Sequence, residues 1–169
     1  MEQTLLAFSH ATGIYDVMNT PWGWPTAESL HFIGMSLLIG TVGTFDLRLL
    51  GAVKNIPLQA MHRLVPIGIC GYLLNVTTGI MFLTTVPDQY IYNPAFQTKL
   101  SFMGLAGINM LLFYRFSFAV VKQQDPVPAA MLRARIGALV SLACWFGVIT
   151  CGRLITFYRP PYYWCFWCS

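Results

Sequence analysis

Four stretches of this chain run for about the thickness of a bilayer with almost no formal charge, and this constrains the fold more than any other feature. A membrane-crossing helix needs about 20 predominantly apolar residues. Residues 27–50, 58–86, 95–118 and 130–158 meet that requirement. The uncharged core of the first lies between Glu28 and Asp46, and in the second nothing charged follows Arg63 until Asp88. The third core lies between Lys99 and Arg115, and the fourth between Arg135 and Arg153. Flanking charged side chains bring the shorter cores across by snorkelling to the headgroups. Apolar residues make up 56% of the chain and charged ones 9%, against about 45–50% and about 25% in globular domains. Most of the surface therefore faces something other than water. This composition rules out a disordered chain, a coiled coil and an ordinary soluble enzyme. It also argues against nucleic-acid binding, because ten Lys and Arg in 169 residues leave little for a phosphate track. The expected fold is all-α, an integral membrane four-helix bundle forming a single domain over residues 1–169.

Proline punctuates the spans. Pro25, Pro57, Pro94 and the pair Pro126 and Pro128 each stand where a helix begins, a position that tolerates the missing N–H. Pro66 falls inside the second span, where a kink is expected. Four spans put both termini on one side. The connections on the other side carry Arg48, Lys54, Arg63, Arg115, Lys122, Arg133 and Arg135, against Lys99, Arg153 and Arg159 on the side of the termini. The positive-inside rule makes the richer side cytoplasmic. Trp22, Trp24, Trp164 and Trp167 then fall at the outer interface, as an aromatic belt does. Residues 3–18, with Leu5, Leu6, Phe8, Ile14 and Met18, are expected to form a short interfacial helix. The first twenty residues hold no basic residue, so a cleaved leader is not expected. Residues 159–169 form an aromatic tail containing Cys165 and Cys168. A lone C-x-x-C without a βαβ context is weak evidence for redox chemistry. The tail is read as an interfacial anchor suited to subunit docking.

Ionisable groups inside a membrane are costly and point to function. At about 100° per residue, Glu28, His31, Met35 and Asp46 share one stripe, while Arg48 falls on another face. Glu28 and His31 form a Glu-x-x-His, the spacing used by di-metal carboxylate bundles. With a single copy, a di-metal centre would need a partner chain. The structural alternative is that Glu28 favours the helix start and orients His31. His62 opens the second span. With a rise of about 1.5 Å per residue, His31 and His62 lie about 20 Å apart along the membrane normal, too far to share one ion. Each marks its own layer. The outer layer groups His31, Met35, Met81, Met103 and Cys151 below Glu28. This N/S mixture suits copper(I) or a haem. The inner layer groups His62 with Asp46, Arg48, Arg63 and Arg115, which suits a haem whose propionates face the headgroups. The competing reading is that Met, Cys and Phe simply fill a membrane core. Gly40/Gly43, Gly68/Gly71 and Gly104/Gly107 recur at one spacing, more suited to helix packing than to a flat ring. Asn75 and Asn109 are expected to bond across helices.

Four segments carry a resemblance over nearly the whole chain up to about Tyr158. They are Trp24-Pro25-Thr-Ala-Glu28-Ser-Leu-His31, Phe45-Asp46-Leu-Arg48-Leu-Leu-Gly51, His62-Arg63-Leu-Val-Pro66 and Asn93-Pro94-Ala-Phe96-Gln-Thr-Lys99. The sequence resembles a family of small bacterial inner-membrane proteins grouped with the membrane domain of copper-resistance protein D. The cysteine-rich tail departs from that pattern. The resemblance implies an inner-membrane location, with both termini periplasmic on the charge argument, and copper handling or haem binding. A distant group of relatives includes haem-binding membrane protoporphyrinogen oxidases. The expected function is b-type haem binding and electron transfer inside a larger membrane complex. His31 and His62 are the axial ligands, and Arg48 and Arg63 hold propionates. The first alternative is copper binding or transfer, with Glu28, His31, Met35, Met81 and Met103 as ligand candidates and His62 in its own layer. The second is a non-catalytic accessory subunit of a respiratory or photosynthetic complex. The expected partners are lipid and either other membrane subunits or a second copy. No nucleophile–base set suited to hydrolysis is visible.

Overall fold

The computed structural model describes residues 1–52, 56–118 and 132–159, and every regular element among them is helical. In chain order these are α1 (Glu2–Ala11), α2 (Ile14–Met18), α3 (Gly23–Leu50), α4 (Leu58–His62), α5 (Val65–Thr85), α6 (Asp88–Ile91), α7 (Pro94–Phe116) and α8 (Leu132–Leu154). α8 runs into a 3-10 turn, Ile155–Tyr158. Three segments, Gly23–Leu50, Ala60–Thr85 and Leu132–Tyr158, are long and apolar enough to cross a membrane. Large apolar side chains point outward, with Phe32 at 62% exposure and Phe146 at 73%. That inverts the pattern of a water-soluble core and is what lipid contact requires.

The third of the four expected spans forms as α7, which is not among the three helices long and apolar enough to cross a membrane. Gln97, Thr98, Lys99 and Ser101 crowd its first turns, and Asn109 and Arg115 follow. The second expected span is broken. α4 ends at His62, and α5 begins at Val65 with Pro66 in its first turn. The expected kink is therefore a break at Arg63–Leu64, because proline suits a helix start better than a helix interior. The expected N-terminal helix is also divided, at Gly13, whose φ of +74° lies in the left-handed region. The Cys165–Cys168 tail, Trp164, Trp167, Lys54, Lys122, Pro126 and Pro128 lie outside the described residues.

Local chemistry explains the helix ends. Gly51, at φ +88°, closes α3 with a Schellman arrangement. Its N–H returns to the Arg48 carbonyl, and that of Ala52 to the Leu47 carbonyl. Asn93 is fully buried and caps α7. Its Oδ1 accepts from the N–H groups of Ala95 and Phe96 at 3.1 and 3.4 Å. Its Nδ2 donates to the carbonyls of Ile155 and Tyr158 at 3.0 and 3.2 Å, which ties the end of α8 to the start of α7. At the same end of the molecule, Met18, Ala27 and Phe82 form a small core under α2, with Trp24 stacked on Phe82 at 5.3 Å. Tyr90 packs on this core, and burial raises its phenol above the usual range.

α3 and α5 share the most extensive interface. It is an antiparallel seam in strict register. His31 meets Thr78, Gly34 meets Asn75, Leu38 meets Gly71 and Thr41 meets Gly68. Steps of three, four and three residues down α3 are matched by equal steps back along α5, which keeps one stripe of each helix in contact. The glycines set the spacing. A Cβ on Gly34 would lie 2.8 Å from the Gly71 carbonyl oxygen, and one on Gly71 would lie 2.6 Å from that of Gly34. Of the six glycines that sequence spacing paired, Gly68 and Gly71 make such close contacts. Gly40, Gly104 and Gly107 face open space, and Gly43 makes only ordinary contacts. Gly34, outside the repeated spacing, is the partner that matters.

α7 and α8 form a second antiparallel pair. Asn109 Nδ2 donates to the Gly137 carbonyl at 2.9 Å, and Phe102 lies against Gly147. Leu49 joins α3 to this pair by packing on Ala134 and Ala138.

The seam predicts contrasting effects of two alanine substitutions. Gly34→Ala should destabilise the detergent-solubilised protein by about 1–3 kcal/mol, the range for overpacking. Gly40→Ala, where an added Cβ meets nothing, should not lower its thermal unfolding midpoint. Circular dichroism melts of both variants check this.

Candidate functional site

α5 and α7 scarcely touch, although both pack in the same bundle of helices. The gap between them opens a cleft whose walls come from α3, α5, α7 and α8. The cleft has two adjoining chambers. The upper, of about 180 Å³, is lined by His31, Met35, Asn75, Lys99 and Met103. The lower, of about 270 Å³, is lined by Asp46, Asn109, Ser141 and a set of aromatic side chains. Leu38, Tyr72, Met103 and Trp145 line both.

His31 is held by the α3–α5 seam. Its Nδ1 lies 2.7 Å from the Thr78 hydroxyl. That hydroxyl donates its one proton back to the Leu74 carbonyl at 2.8 Å. At the Thr78 oxygen the imidazole must therefore be the donor. With the hydroxyl proton assigned to the Leu74 carbonyl, His31 is assigned the Nδ1–H tautomer, which leaves the lone pair on Nε2. The ring is also fixed by the edge of Phe82, 5.6 Å between centroids. A histidine whose second nitrogen is anchored in this way is oriented as metal-ligating histidines are.

Lys99 also lines the upper chamber. It stands more than one turn inside α7 and turns toward α8, where its Nζ would lie 3.7 Å from a Cβ on Gly152. It lies within electrostatic range of His31 and Cys151. In the lower chamber, Asp46 is 5% exposed, faces Ser141 and leaves Oδ2 without a hydrogen-bond partner.

The structure brings together His31, Met35 and Met103 of the residues chosen from sequence, and leaves the others elsewhere. Glu28 is exposed and lines neither chamber. Met81 packs on the Met18–Ala27–Phe82 core. Cys151 is buried near Lys99. His62 sits among aromatic rings, with Phe118 at 4.7 Å between centroids and the Tyr114 hydroxyl 3.4 Å from Nε2. It lines neither chamber. Arg48 is buried and donates from Nε to the Ile56 carbonyl at 2.7 Å, and Arg63 is exposed. Among the described residues, no group of three His, Cys, Asp or Glu side chains is placed to hold a metal ion. Sequence reasoning missed Thr78, Lys99, Trp145 and Ser141 as site residues. The position of Lys99 beyond the Asn93-Pro94 helix start was the available signal for one of them.

A family model described as a family of unknown function, DUF6644, matches residues 12–158. The chain belongs to that family. No curated protein and no solved structure matches it. The DUF6644 match takes in every residue that lines the two chambers.

The hydrogen-bond chain through Thr78 predicts a tautomer. In ¹⁵N-histidine spectra of the solubilised protein, His31 should show a protonated Nδ1 and a bare Nε2. Thr78→Val, which removes the acceptor but keeps the shape, should abolish that bias.

Proposed function

We propose that this chain is a polytopic membrane protein that binds a b-type haem through His31 and serves in electron transfer. One observation carries the reading. The imidazole of His31 is pinned at Nδ1 by Thr78, which leaves Nε2 available in a chamber that also holds two thioethers. The donor chemistry fits. Imidazole and thioether both ligate haem iron, so His31 with Met35 or Met103 would hold the group. Lys99 offers an ammonium to a propionate, a charge-assisted contact. Gly79 lines the same chamber with nothing within 4 Å of a Cβ built on it, so it leaves room beside a flat ring. The upper chamber is smaller than a porphyrin, so the ring would extend into the gap between α5 and α7. A bound haem supplies a one-electron couple. The chain's own part is to orient the ligand nitrogen, neutralise the anionic edge and keep water away with apolar walls. On this reading there is one haem site rather than two, since His62 borders neither chamber.

In the same reading α7 is a fourth crossing helix. Its outward side chains Leu105, Ile108, Leu111 and Leu112 are all more than half exposed and suited to lipid. The charge distribution of the sequence supports a periplasmic position for both termini in an inner membrane. The outward apolar faces accommodate lipid, other membrane subunits or a second copy.

A copper reading is the runner-up, because His31, Met35 and Met103 are an N/S set of the kind that copper(I) takes. The ammonium of Lys99 in the same chamber opposes a bare cation and favours an anionic cofactor, which ranks haem first.

Protein purified from haem-replete cells should show a Soret band. The band should be lost in His31→Ala and kept in His62→Ala. A colourless preparation overturns the haem reading. Copper that falls in Met35→Leu, in a preparation without a Soret band, supports the runner-up.

A further inference from the structure

The lower chamber has a chemistry of its own, and the haem reading does not use it. Its walls are largely apolar and aromatic, with Phe45, Phe113, Tyr72 and Trp145 among them. Set into those walls is Asp46, 5% exposed, with Oδ2 unpartnered. A carboxyl oxygen left without a partner in a low-dielectric interior is costly, and native structures rarely leave one without cause. The terminal torsion of aspartate is broad, so the carboxyl can turn either oxygen to the chamber. Asn109 adds a second acceptor. Its Nδ2 is taken by the Gly137 carbonyl, which leaves Oδ1 free to accept. Two acceptors set among aromatic rings call for a flat ligand that donates hydrogen bonds.

Access narrows the class further. The chamber opens between α5 and α7, which scarcely meet. The surrounding surface is apolar, with Ile69 and Met110 of the chamber wall exposed. A ligand that enters sideways must dissolve in lipid, which excludes a charged amine. Among the described residues lining the chamber, a metal cation would find no second His, Cys, Asp or Glu. At Gly107, on the chamber wall, a built Cβ meets nothing within 4 Å, so there is space for a ring. We propose that the lower chamber binds the headgroup of a membrane-soluble quinol, with Asp46 accepting from a ring hydroxyl and the apolar tail leaving between α5 and α7. A quinol donates two hydrogen bonds, whereas its quinone donates none. Asp46 therefore selects the reduced ring. The site adjoins the His31 chamber, with Leu38, Tyr72, Met103 and Trp145 on the shared wall, and does not require haem to be bound there.

The test uses the full chain in detergent under anaerobic conditions, with an azido-benzoquinol as photolabel and mass spectrometry of the labelled peptides. Label should fall on α5 and α7 residues of the lower chamber. Unlabelled decyl-benzoquinol should compete at concentrations about tenfold lower than its quinone, as one hydrogen bond allows. Asp46→Asn should erase that preference. Gly107→Leu, which fills the space without touching Asp46, should suppress labelling while helical circular dichroism is retained. Equal competition by quinol and quinone, a preference that survives Asp46→Asn, or label outside the chamber each overturns the proposal. The haem reading fails on a missing Soret band and this one on a missing quinol preference, so either can fall alone.

Discussion

The contact between Gly34 and Gly71 sets the geometry of everything around it. Lipid tails are as apolar as leucine, so helices in a bilayer are held by close packing and by hydrogen bonds rather than by expulsion of water. Removing two side chains lets the backbones of α3 and α5 approach until a methyl group would collide with a carbonyl oxygen. That approach, repeated at Thr41 and Gly68, locks the register over about three turns. The same register delivers His31 to Thr78. The placement of one half-buried imidazole is thus a consequence of two missing side chains a turn or more away.

Tight packing on one side is matched by a gap on another. α5 is drawn to α3, and α7 is drawn to α8 by Asn109 and the Phe102–Gly147 contact. Asn93 fixes the far end of the second pair by capping α7 and holding the 3-10 turn after α8. With each helix committed to its own partner, α5 and α7 stay apart, and the cleft lies between them. The polar groups in that cleft are few and separately placed. His31 and Lys99 border the upper chamber, and Asp46 and Asn109 the lower, with Tyr72, Trp145, Leu38 and Met103 between. Such sparse polar groups in an apolar pocket fix orientation, while the walls supply affinity.

The helical class and the membrane character were legible because composition and run length are one-dimensional properties. Proline and asparagine marked helix starts correctly at Asn93-Pro94, where a single side chain does the capping. Span continuity was harder to read. Pro66 is compatible with either a kink or a fresh start, and the structure has a turn at Arg63–Leu64 within the apolar segment Ala60–Thr85. The candidate site was half legible. His31, Met35 and Met103 could be grouped from helix phase and depth, because all three face inward. His62 could not be placed in the same way, since it lies at a helix end whose neighbours Tyr114 and Phe118 come from α7 and the residues just after it. Glycine spacing misled for a related reason. Spacing along one helix says nothing about which glycine meets a partner, and Gly34, the one that meets Gly71, belongs to no repeat.

Disulfide trapping of the α3–α5 register tests this account most directly. A Cβ on Gly68 would lie 3.5 Å from the Cβ of Thr41, within the range of about 3.5–4.5 Å that a disulfide needs. In a background lacking the native cysteines, Thr41→Cys with Gly68→Cys should oxidise in native membranes to a protected pair. Phe45→Cys with Gly68→Cys, one turn further along α3, should stay reactive to alkylation. Protection of the second pair and not the first would contradict the register, and with it the placement of His31 against Thr78.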